Sequence, residues 1–272
     1  MKIYYLGPIG SFSEQIRKKI YKKMDLVPLQ TFEGIVKKVE NDPEATGLLV
    51  IENSISSSVH QSVDLMFESQ AQIIGEAYME IKLDLIGLPG TKVENIKTVF
   101  SHPQALSQSS EFIKKYQLKS IFEQSTASAA SYVKRSKKIQ NAAIGSKYLA
   151  DLMKLKVIKE NVGNIKHNMS RWIMIANQAK IKDTEANKLT VIFKVKHKPG
   201  SLVKALDQIA KKRGNLTKIE SRPLPGTNWE YEFWLDLEIP NGTKKDFLKL
   251  FQNETLEYRV LGAYKKGKLY NS

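Results

Sequence analysis

The sequence predicts an α/β protein made of two parts, a region built on a largely parallel sheet and a ferredoxin-like domain after it. Three observations support this prediction. Short apolar runs alternate with helical patterns up to residue 177, the stretch 177–187 is polar and lacks periodicity, and the remaining residues follow a βαββαβ pattern. We therefore predict a first domain at residues 1–178 and a second domain at residues 187–272.

Composition limits the class of protein. The chain has 272 residues, 42% of them hydrophobic, and no cysteine, which excludes a disulfide framework and a zinc site built on cysteine. The 4 histidines lack the spacing of metal ligands, and no apolar run approaches the ~20 residues of a membrane helix. The chain reaches Gly7 and Pro8 too soon for a signal peptide. We expect a soluble, cytoplasmic protein with no metal and no membrane partner.

The net charge of +15 raises the alternative of a nucleic-acid-binding protein. The excess is divided between both regions, since residues 187–272 carry 17 basic and 9 acidic side chains. No helix-turn-helix, finger or RNA-platform signature accompanies it. We therefore favour a solvated, lysine-rich surface that attracts small anions, and we expect no nucleic-acid partner.

In the first region, strand after strand runs into a short loop of Gly, Ser, Thr or Asn that opens a helix. The carboxyl ends of parallel strands meet at one edge, where helix starts offer N–H groups to an anion. An ordinary helix cap explains any one loop, but five in one sheet predict an anion-binding cleft. The strands before these loops are predicted at residues 2–6, 46–51, 98–100, 120–123 and 141–144, and a further strand at 83–88.

The second region predicts a strand at 188–196, a helix that ends at Gly214, a hairpin of 215–224 with 229–238, a helix capped by Thr243 and a strand at 256–265. In the second arm of the hairpin, apolar residues from Trp229 to Leu237 alternate with polar ones, which predicts one buried face. The edges of such a sheet commonly pair with a second copy.

Several short segments now point to one family, because they occur in its order along almost the whole chain. On these segments the chain resembles the monofunctional prephenate dehydratase family, in which an ACT regulatory domain follows the dehydratase domain. The resemblance implies a two-lobed catalytic domain, similar to type II periplasmic binding proteins, with the active site between the lobes. The segments are Gly7-Pro8-Ile9-Gly10-Ser11-Phe12-Ser13, Ile51-Glu52-Asn53-Ser54, residues 101–106, 125–130 and 142–146, Asn168-Met169-Ser170-Arg171-Trp172, Gly200-Ser201-Leu202 and Glu220-Ser221-Arg222-Pro223.

The resemblance implies a lyase reaction of phenylalanine biosynthesis that needs no cofactor. Prephenate loses carbon dioxide and its ring hydroxyl together, and the product is phenylpyruvate. Aromatisation drives the reaction, so the protein holds the carboxylates and protonates the leaving hydroxyl. Two alternatives stay open: an arogenate dehydratase, and a non-catalytic sensor of amino acids or dicarboxylates on the same fold.

The family's Thr-Arg-Phe motif corresponds here to Ser170, Arg171 and Trp172. We hypothesise that Ser170 donates a proton to the leaving hydroxyl and that Arg171 binds a substrate carboxylate through two hydrogen bonds. Asn53 and Ser54 match the family's substrate-contacting pair and complete the predicted catalytic set. The predicted substrate-binding residues are Ser11, Glu52, Thr126 and Trp172. His102, next to the helix-starting Pro103, is interpreted as structural.

Departures from the family pattern surround the predicted cleft, and they leave the choice between prephenate and arogenate open. Val50 replaces the usual Pro, Ser57 the usual Gly, Trp172 the usual Phe, and Ser11 the more frequent Thr.

The ACT resemblance implies feedback control by phenylalanine, bound at an interface between two copies in a homodimer or homotetramer. A module used only for dimerisation is the alternative. The predicted effector-binding residues are Gly200, Ser201, Leu202, Asn215, Leu216, Glu220, Ser221, Arg222 and Pro223.

Overall fold

The computed structural model describes residues 2–21, 24–177 and 186–271. Within these residues the strands form a seven-stranded, a five-stranded and a four-stranded sheet. The first two sheets belong to two lobes and the third to a C-terminal domain, so the predicted α/β class and the two-lobed architecture are confirmed. The predicted linker lies largely outside the described residues. None of the described helices is both long and apolar enough to span a membrane.

The first lobe contains the larger sheet, in the order β16-β5-β11-β3-β1-β2, with β4 paired to β3. Its helices cover both faces of the sheet. The elements are β1 (Lys2–Leu6), α1 (Phe12–Ile20), β2 (Asp25–Leu29), α2 (Phe32–Asn41), β3 (Thr46–Asn53), β4 (Ser57–Ser58), α3 (His60–Glu68), β5 (Gln72–Glu80), β11 (Met169–Ala176) and β16 (Lys268–Tyr270).

The second lobe lies in the chain between β5 and β11, so the backbone crosses between the lobes twice. Its sheet has the order β10-β6-β9-β7-β8. The elements are β6 (Asp84–Gly87), a 3₁₀ turn (Val93–Asn95), β7 (Thr98–Ser101), α4 (Pro103–Ser107), α5 (Ser110–Lys115), β8 (Lys119–Phe122), α6 (Thr126–Ser136), β9 (Asn141–Gly145), α7 (Lys147–Met153) and β10 (Lys156–Lys159).

The C-terminal domain has the predicted βαββαβ order, and its antiparallel sheet runs β13-β14-β12-β15. Its two helices cover one face of that sheet, where Leu189, Leu235 and Phe251 form part of a separate core. The elements are β12 (Lys188–Lys194), α8 (Ser201–Lys211), β13 (Asn215–Pro223), β14 (Tyr231–Glu238), α9 (Lys244–Glu254) and β15 (Glu257–Tyr264).

Four of the five predicted helix starts are found where serine or histidine caps the helix. The side chains of Ser11, His102, Ser125 and Ser146 each accept a hydrogen bond from a backbone N–H of the first turn. The fifth predicted helix is present and buries Val63 and Met66, but its start differs from the prediction. The strand β3 continues through Asn53, and α3 begins only at His60 with no side-chain cap.

The other face of the C-terminal sheet packs on the first lobe. Ile192, Trp234 and Leu261 share one apolar cluster with first-lobe residues that include Phe67 and Ile173. The prediction of a single buried face for β14 is therefore wrong, because the second face is covered by the first lobe. Trp229, which the pattern placed on the buried face, is 69% exposed.

The chain returns to the first lobe after the C-terminal domain. Strand β16 pairs in parallel with β5, with Leu269 opposite Tyr78. The four-stranded domain thus ends before β16, and the last residues of the predicted domain 187–272 belong to the first-lobe sheet.

Candidate active site

A β-bulge shapes the region where β3 meets β11. Along this antiparallel pair Trp172 lies opposite Val50, but the residue before it, Arg171, lies opposite Glu52. Ile51 is therefore an extra residue in β3. A bulge re-aims the side chains that follow it. As a result Asn53 lies opposite Ser170, and Glu52 opposite Arg171.

The pair of Asn53 and Ser170 is the centre of a buried hydrogen-bond network. Asn53 Nδ2 donates to Ser170 Oγ at 2.9 Å and to Asn168 Oδ1 at 2.6 Å. Its Oδ1 accepts from the backbone N–H groups of Ile55 and Ser56, both at 3.1 Å. The amide orientation is therefore fixed, and the oxygen of Ser170 accepts a hydrogen bond while its own proton stays available for donation.

Ser54 ties the same loop to β11 through the backbone. Its Oγ accepts from Met169 N–H at 2.9 Å, and its N–H donates to Met169 O at 2.8 Å. The prediction placed Ser54 at a helix start with a donor for substrate. The structure places it in a turn, where its hydroxyl oxygen supports the strand that carries Ser170.

Two contacts extend this network to the second lobe. Gln104 Nε2 donates to Ser56 Oγ, and Asn168 Nδ2 donates to Gln108 Oε1 at 3.0 Å. Gln104 belongs to α4, whose cap is His102, and desolvation of the imidazole lowers the pKa of His102. The network therefore connects the lobes beside Ser170, and His102 has the structural position that the sequence predicts.

The remaining predicted substrate residues lie on neighbouring elements. Ser11 Oγ donates to Leu6 O at 3.2 Å and caps α1. Trp172 is buried and donates from Nε1 to Ser13 Oγ at 3.1 Å, so it packs in the first-lobe core rather than lining a surface. Among the described residues no hydrogen bond joins Ser11 or Thr126 to Ser170.

A groove of about 980 Å³ separates the lobes next to these loops. One wall comes from residues 6–9 and 28–31, and the other from the start of α6, including Ser125 and Ser128. Ser125 caps α6, which leaves the hydroxyl of Thr126 unused for capping. Gly10 lets its loop approach the second lobe, because a Cβ there would lie 2.6 Å from Leu149 Cδ1.

Arg171 faces away from Ser170, toward the C-terminal domain. Its Nε donates to Glu76 at 2.8 Å, its Nη1 contacts Asp236 and Glu52, and its Nη2 donates to the hydroxyl of Tyr264 at 3.3 Å. Every nitrogen of the guanidinium thus has a protein partner. The structure shows Arg171 paired with the buried carboxylates of Glu76 and Asp236, and its binding of a substrate carboxylate stays a prediction.

Burial and neighbouring charges shift the pKa values of Asp236, Arg171 and Lys188. Burial opposes the charged form of Asp236, but Arg171 outweighs this effect and the pKa of Asp236 is lowered. Burial also opposes the charge of Arg171, yet Asp236 raises the pKa of the guanidinium well above its usual value. Burial and the like charge of Arg171 together lower the pKa of Lys188, whose Nζ lies 2.9 Å from Glu76.

Comparison with known proteins places this geometry in a family. The sequence profile described as prephenate dehydratase matches residues 3–180. The prephenate dehydratase of Methanocaldococcus jannaschii is 35% identical over 269 residues, which cover 96% of this chain and 97% of that protein. The chain belongs to the prephenate dehydratase family. It is a dehydratase enzyme of that family, as the sequence resemblance indicates.

Other members and structures show how far the likeness extends. A prephenate dehydratase from Arthrobacter aurescens in complex with L-Phe has a TM-score of 0.85 at 25% identity and covers 98% of this chain and 90% of its own. The chloroplastic arogenate dehydratase/prephenate dehydratase 1 of Arabidopsis thaliana is 32% identical over 97% of this chain and 72% of its own.

One structure of the same architecture has a different description. A quorum quenching acylase named GqqA has a TM-score of 0.86 at 25% identity, over 98% of both chains. Because one architecture can carry several activities, the family match and the residues around Ser170 must identify the dehydratase chemistry.

The structure divides the residues predicted to bind phenylalanine among three places. Ser201 and Leu202, just after Gly200, line a cavity of about 380 Å³ at one end of the C-terminal sheet. Asn215 and Leu216 start β13 at the opposite end. One dehydratase chain therefore does not bring these two groups together.

The third group lies against the catalytic region. Arg222 pairs with Asp64 at 3.1 Å and Glu68 at 3.2 Å, and Glu220 accepts from Ser58. These two predicted effector residues hold the domains of the dehydratase together in this structure. Ser221 and Pro223 alternate with them on β13 and are exposed.

Sequence reasoning missed two sets of residues. Asn168 and Gln104 stand inside the family segments but were not assigned a role, although each contacts the Asn53 network. Glu76, Lys188 and Asp236 had no motif at all. The one sequence signal for Asp236 is that a carboxylate lies in the middle of an apolar strand. The alternation of apolar and polar residues in that strand predicts that Asp236 is exposed.

Proposed function

We propose that this dehydratase converts prephenate into phenylpyruvate and that Ser170 is its proton donor. The proposal is supported most by the contact of Asn53 Nδ2 with Ser170 Oγ, because an oxygen that accepts a hydrogen bond becomes a better donor of its own proton. Burial of both side chains strengthens this polarisation.

The chemistry then needs few protein groups. The bond from the ring to its carboxylate carbon breaks and releases carbon dioxide, and its electron pair completes the aromatic ring. The ring hydroxyl departs with the proton of Ser170 as water, and solvent returns a proton to Ser170. We assign the opposite end of the substrate to Ser11, Thr126 and the N-terminal N–H groups of α6, which favour a carboxylate.

Replacing Ser170 tests the proton donor. Ser170→Ala is expected to lower kcat by about 10²–10⁴-fold, the usual contribution of a general acid. Ser170→Thr keeps the hydroxyl and is the matched control, expected to retain activity. Both are measured by the absorbance of phenylpyruvate formed from prephenate. Near-wild-type turnover by Ser170→Ala would show that another group protonates the hydroxyl.

We further propose that the C-terminal domain is an ACT domain and binds phenylalanine at an interface between two chains, in a homodimer or homotetramer. The division of the predicted effector residues between opposite ends of the sheet supports this, since an antiparallel second copy would bring Asn215 close to Ser201. The related enzyme in complex with L-Phe supports the choice of effector.

Calorimetry and sedimentation test this proposal together. Phenylalanine is expected to bind saturably to the assembled protein and to lower prephenate turnover, whereas alanine, which lacks the ring, should do neither. A monomer in sedimentation, or the absence of binding heat with phenylalanine, would contradict the proposal.

Arogenate is the second candidate substrate, because the Arabidopsis relative is named for both activities. We propose prephenate as the preferred substrate and a cytoplasmic location for the enzyme. The ratio of kcat/KM for prephenate and arogenate decides the preference, and a protein that binds either without turnover would be the sensor of the non-catalytic alternative.

A further inference from the structure

We propose that Asp236 of the C-terminal domain is a positioning residue for Ser170, acting through Arg171. The inference rests on the proposed role of Ser170 and goes beyond it, because it makes a residue outside the catalytic lobes part of the catalytic arrangement.

The first step concerns direction along β11. Successive side chains of a strand point to opposite faces, and here Ser170 meets Asn53 while Arg171 reaches Asp236. The two functions thus belong to adjacent residues joined by one peptide bond. A displacement of Arg171 is transmitted directly to the backbone that carries the Ser170 hydroxyl.

The second step concerns how firmly Asp236 is held. It is fully buried, and its Oδ1 accepts from Thr190 Oγ1 at 2.7 Å and from Trp234 Nε1 at 3.0 Å. Its Oδ2 accepts from Arg171. With three donors in fixed geometry, the carboxylate gives the guanidinium a single position relative to the C-terminal sheet.

Glu76 of β5 holds the guanidinium from the other side. Its Oε2 accepts from Arg171 Nε, and Lys188 Nζ donates to both of its oxygens, at 2.9 and 3.0 Å. Two cations and two carboxylates are therefore buried together, with Lys188 and Asp236 from the C-terminal domain and Arg171 and Glu76 from the first lobe. We call these four residues the domain-interface ion network.

The domain-interface ion network has equal numbers of positive and negative charges, so removing the Asp236 carboxylate unbalances it. Loss of one buried carboxylate leaves an uncompensated positive charge, which costs more free energy than the pair itself contributes. Arg171 would then keep only Glu76 and Glu52 as carboxylate partners, and β11 would shift beside the bulge of β3. Displacements of about 1 Å can cost about 10²-fold in rate.

A second contact reaches the partner strand of the site. Lys218 of β13 lies 3.6 Å from Glu52 and 2.8 Å from Glu220, and Glu52 precedes Asn53 on β3. Both residues of the Asn53–Ser170 pair thus have a neighbour that contacts the C-terminal domain. A movement of that domain would act on the two strands at once.

Steady-state kinetics of Asp236→Asn in the full-length protein test the inference. We expect kcat and kcat/KM to fall together by about 10-fold or more while KM for prephenate stays within about twofold, since the misplaced Ser170 hydroxyl assists the leaving group only in the transition state. Thr190→Val removes one hydrogen bond to Asp236 and should show a smaller effect of the same kind. It serves as the second variant in case Asp236→Asn does not fold.

Leu250→Ala is the matched control, because Leu250 is buried in the C-terminal core away from the network. It should lower the melting temperature, because the substitution leaves a cavity in the core, and leave kcat unchanged well below the unfolding temperature. Wild-type kcat in folded Asp236→Asn and Thr190→Val, or an equal loss in Leu250→Ala, would overturn the inference. Absence of prephenate turnover in the wild type would instead contradict the proposed function.

Discussion

Two adjacent residues of β11 serve different parts of the molecule. The family motif suggests a common role at the substrate for Ser170 and Arg171, but the pleat of the strand separates their side chains by direction. Ser170 contacts the loop after β3, and Arg171 contacts two buried carboxylates. Adjacent residues of a sequence motif on a strand therefore place their side chains on opposite faces of the sheet, where they can have different roles.

Arg171→Ala distinguishes these roles. Removing one member of a buried ion network is expected to lower the free energy of unfolding by about 3–5 kcal/mol, measured by urea unfolding at neutral pH. Arg135→Ala, at an exposed arginine, is the control and should change it by less than about 0.5 kcal/mol. Unchanged stability with a raised KM for prephenate would show that Arg171 binds the substrate, as the family motif implies.

At this scale the sequence allowed part of the site to be predicted. Asn53 and Ser170 could be selected because they stand in family segments, and the structure brings them into contact. The partners of Arg171 could not be selected, because Glu76 and Asp236 are distant in sequence and a lone acidic residue is most often exposed.

At the scale of elements, the contact between β15 and β5 depends on a residue without a side chain. A Cβ at Gly262 would overlap the carbonyl oxygen of Ile73. The backbone of the C-terminal sheet therefore lies directly against the backbone of the first-lobe sheet.

Gly262→Ala is expected to destabilise the protein by about 1–3 kcal/mol, because two backbones would have to separate to accommodate one methyl group. Gly163→Ala is the control, since its nearest neighbour would lie at 3.8 Å. Thermal unfolding of both variants measures the difference. Equal melting temperatures for the two would show that the domains do not meet closely at Gly262.

The strands that precede Gly- and Ser-rich loops were predicted, because apolar runs and turn residues are local signals. The strands β5 and β11 were not, although they are central in the sheet. Each carries a buried charge, Glu76 or Arg171, that interrupts its apolar pattern. Both charges have partners in the C-terminal domain, Asp236 for Arg171 and Lys188 for Glu76. Asp236 lies more than sixty residues from Arg171 in the chain, so no local pattern indicates the pair.

At the scale of the whole molecule, the first lobe and the C-terminal domain share a core. Trp234 and Tyr264 lie in one cluster with residues of α2, α3 and β11. Acidic pH acts on this interface through Asp236, since Arg171 stabilises the ionised form of this buried carboxylate and lowers its pKa.

The pKa of Asp236 is lowered in the folded state, so its ionised form stabilises the fold at pH values above the unfolded pKa of about 3.9. This stabilisation is lost as the pH falls below that value toward the folded pKa. The difference in unfolding free energy between wild type and Asp236→Asn should be constant from about pH 6 to 8 and should shrink below about pH 4. A difference that persists unchanged in acid would contradict this linkage.

The return of the chain to β16 affects any attempt to produce the catalytic half by itself. A gene truncated after residue 177 would lack β16 and leave the hydrogen-bonding groups of β5 open along that side, which invites fibril-like association. The same truncation would expose the apolar surface that Trp234 covers, and Arg171 and Glu76 would each lose one of their charged partners. Inclusion bodies are the expected product of such a fragment, and co-expression of residues 186–272 from a second gene is the expected remedy.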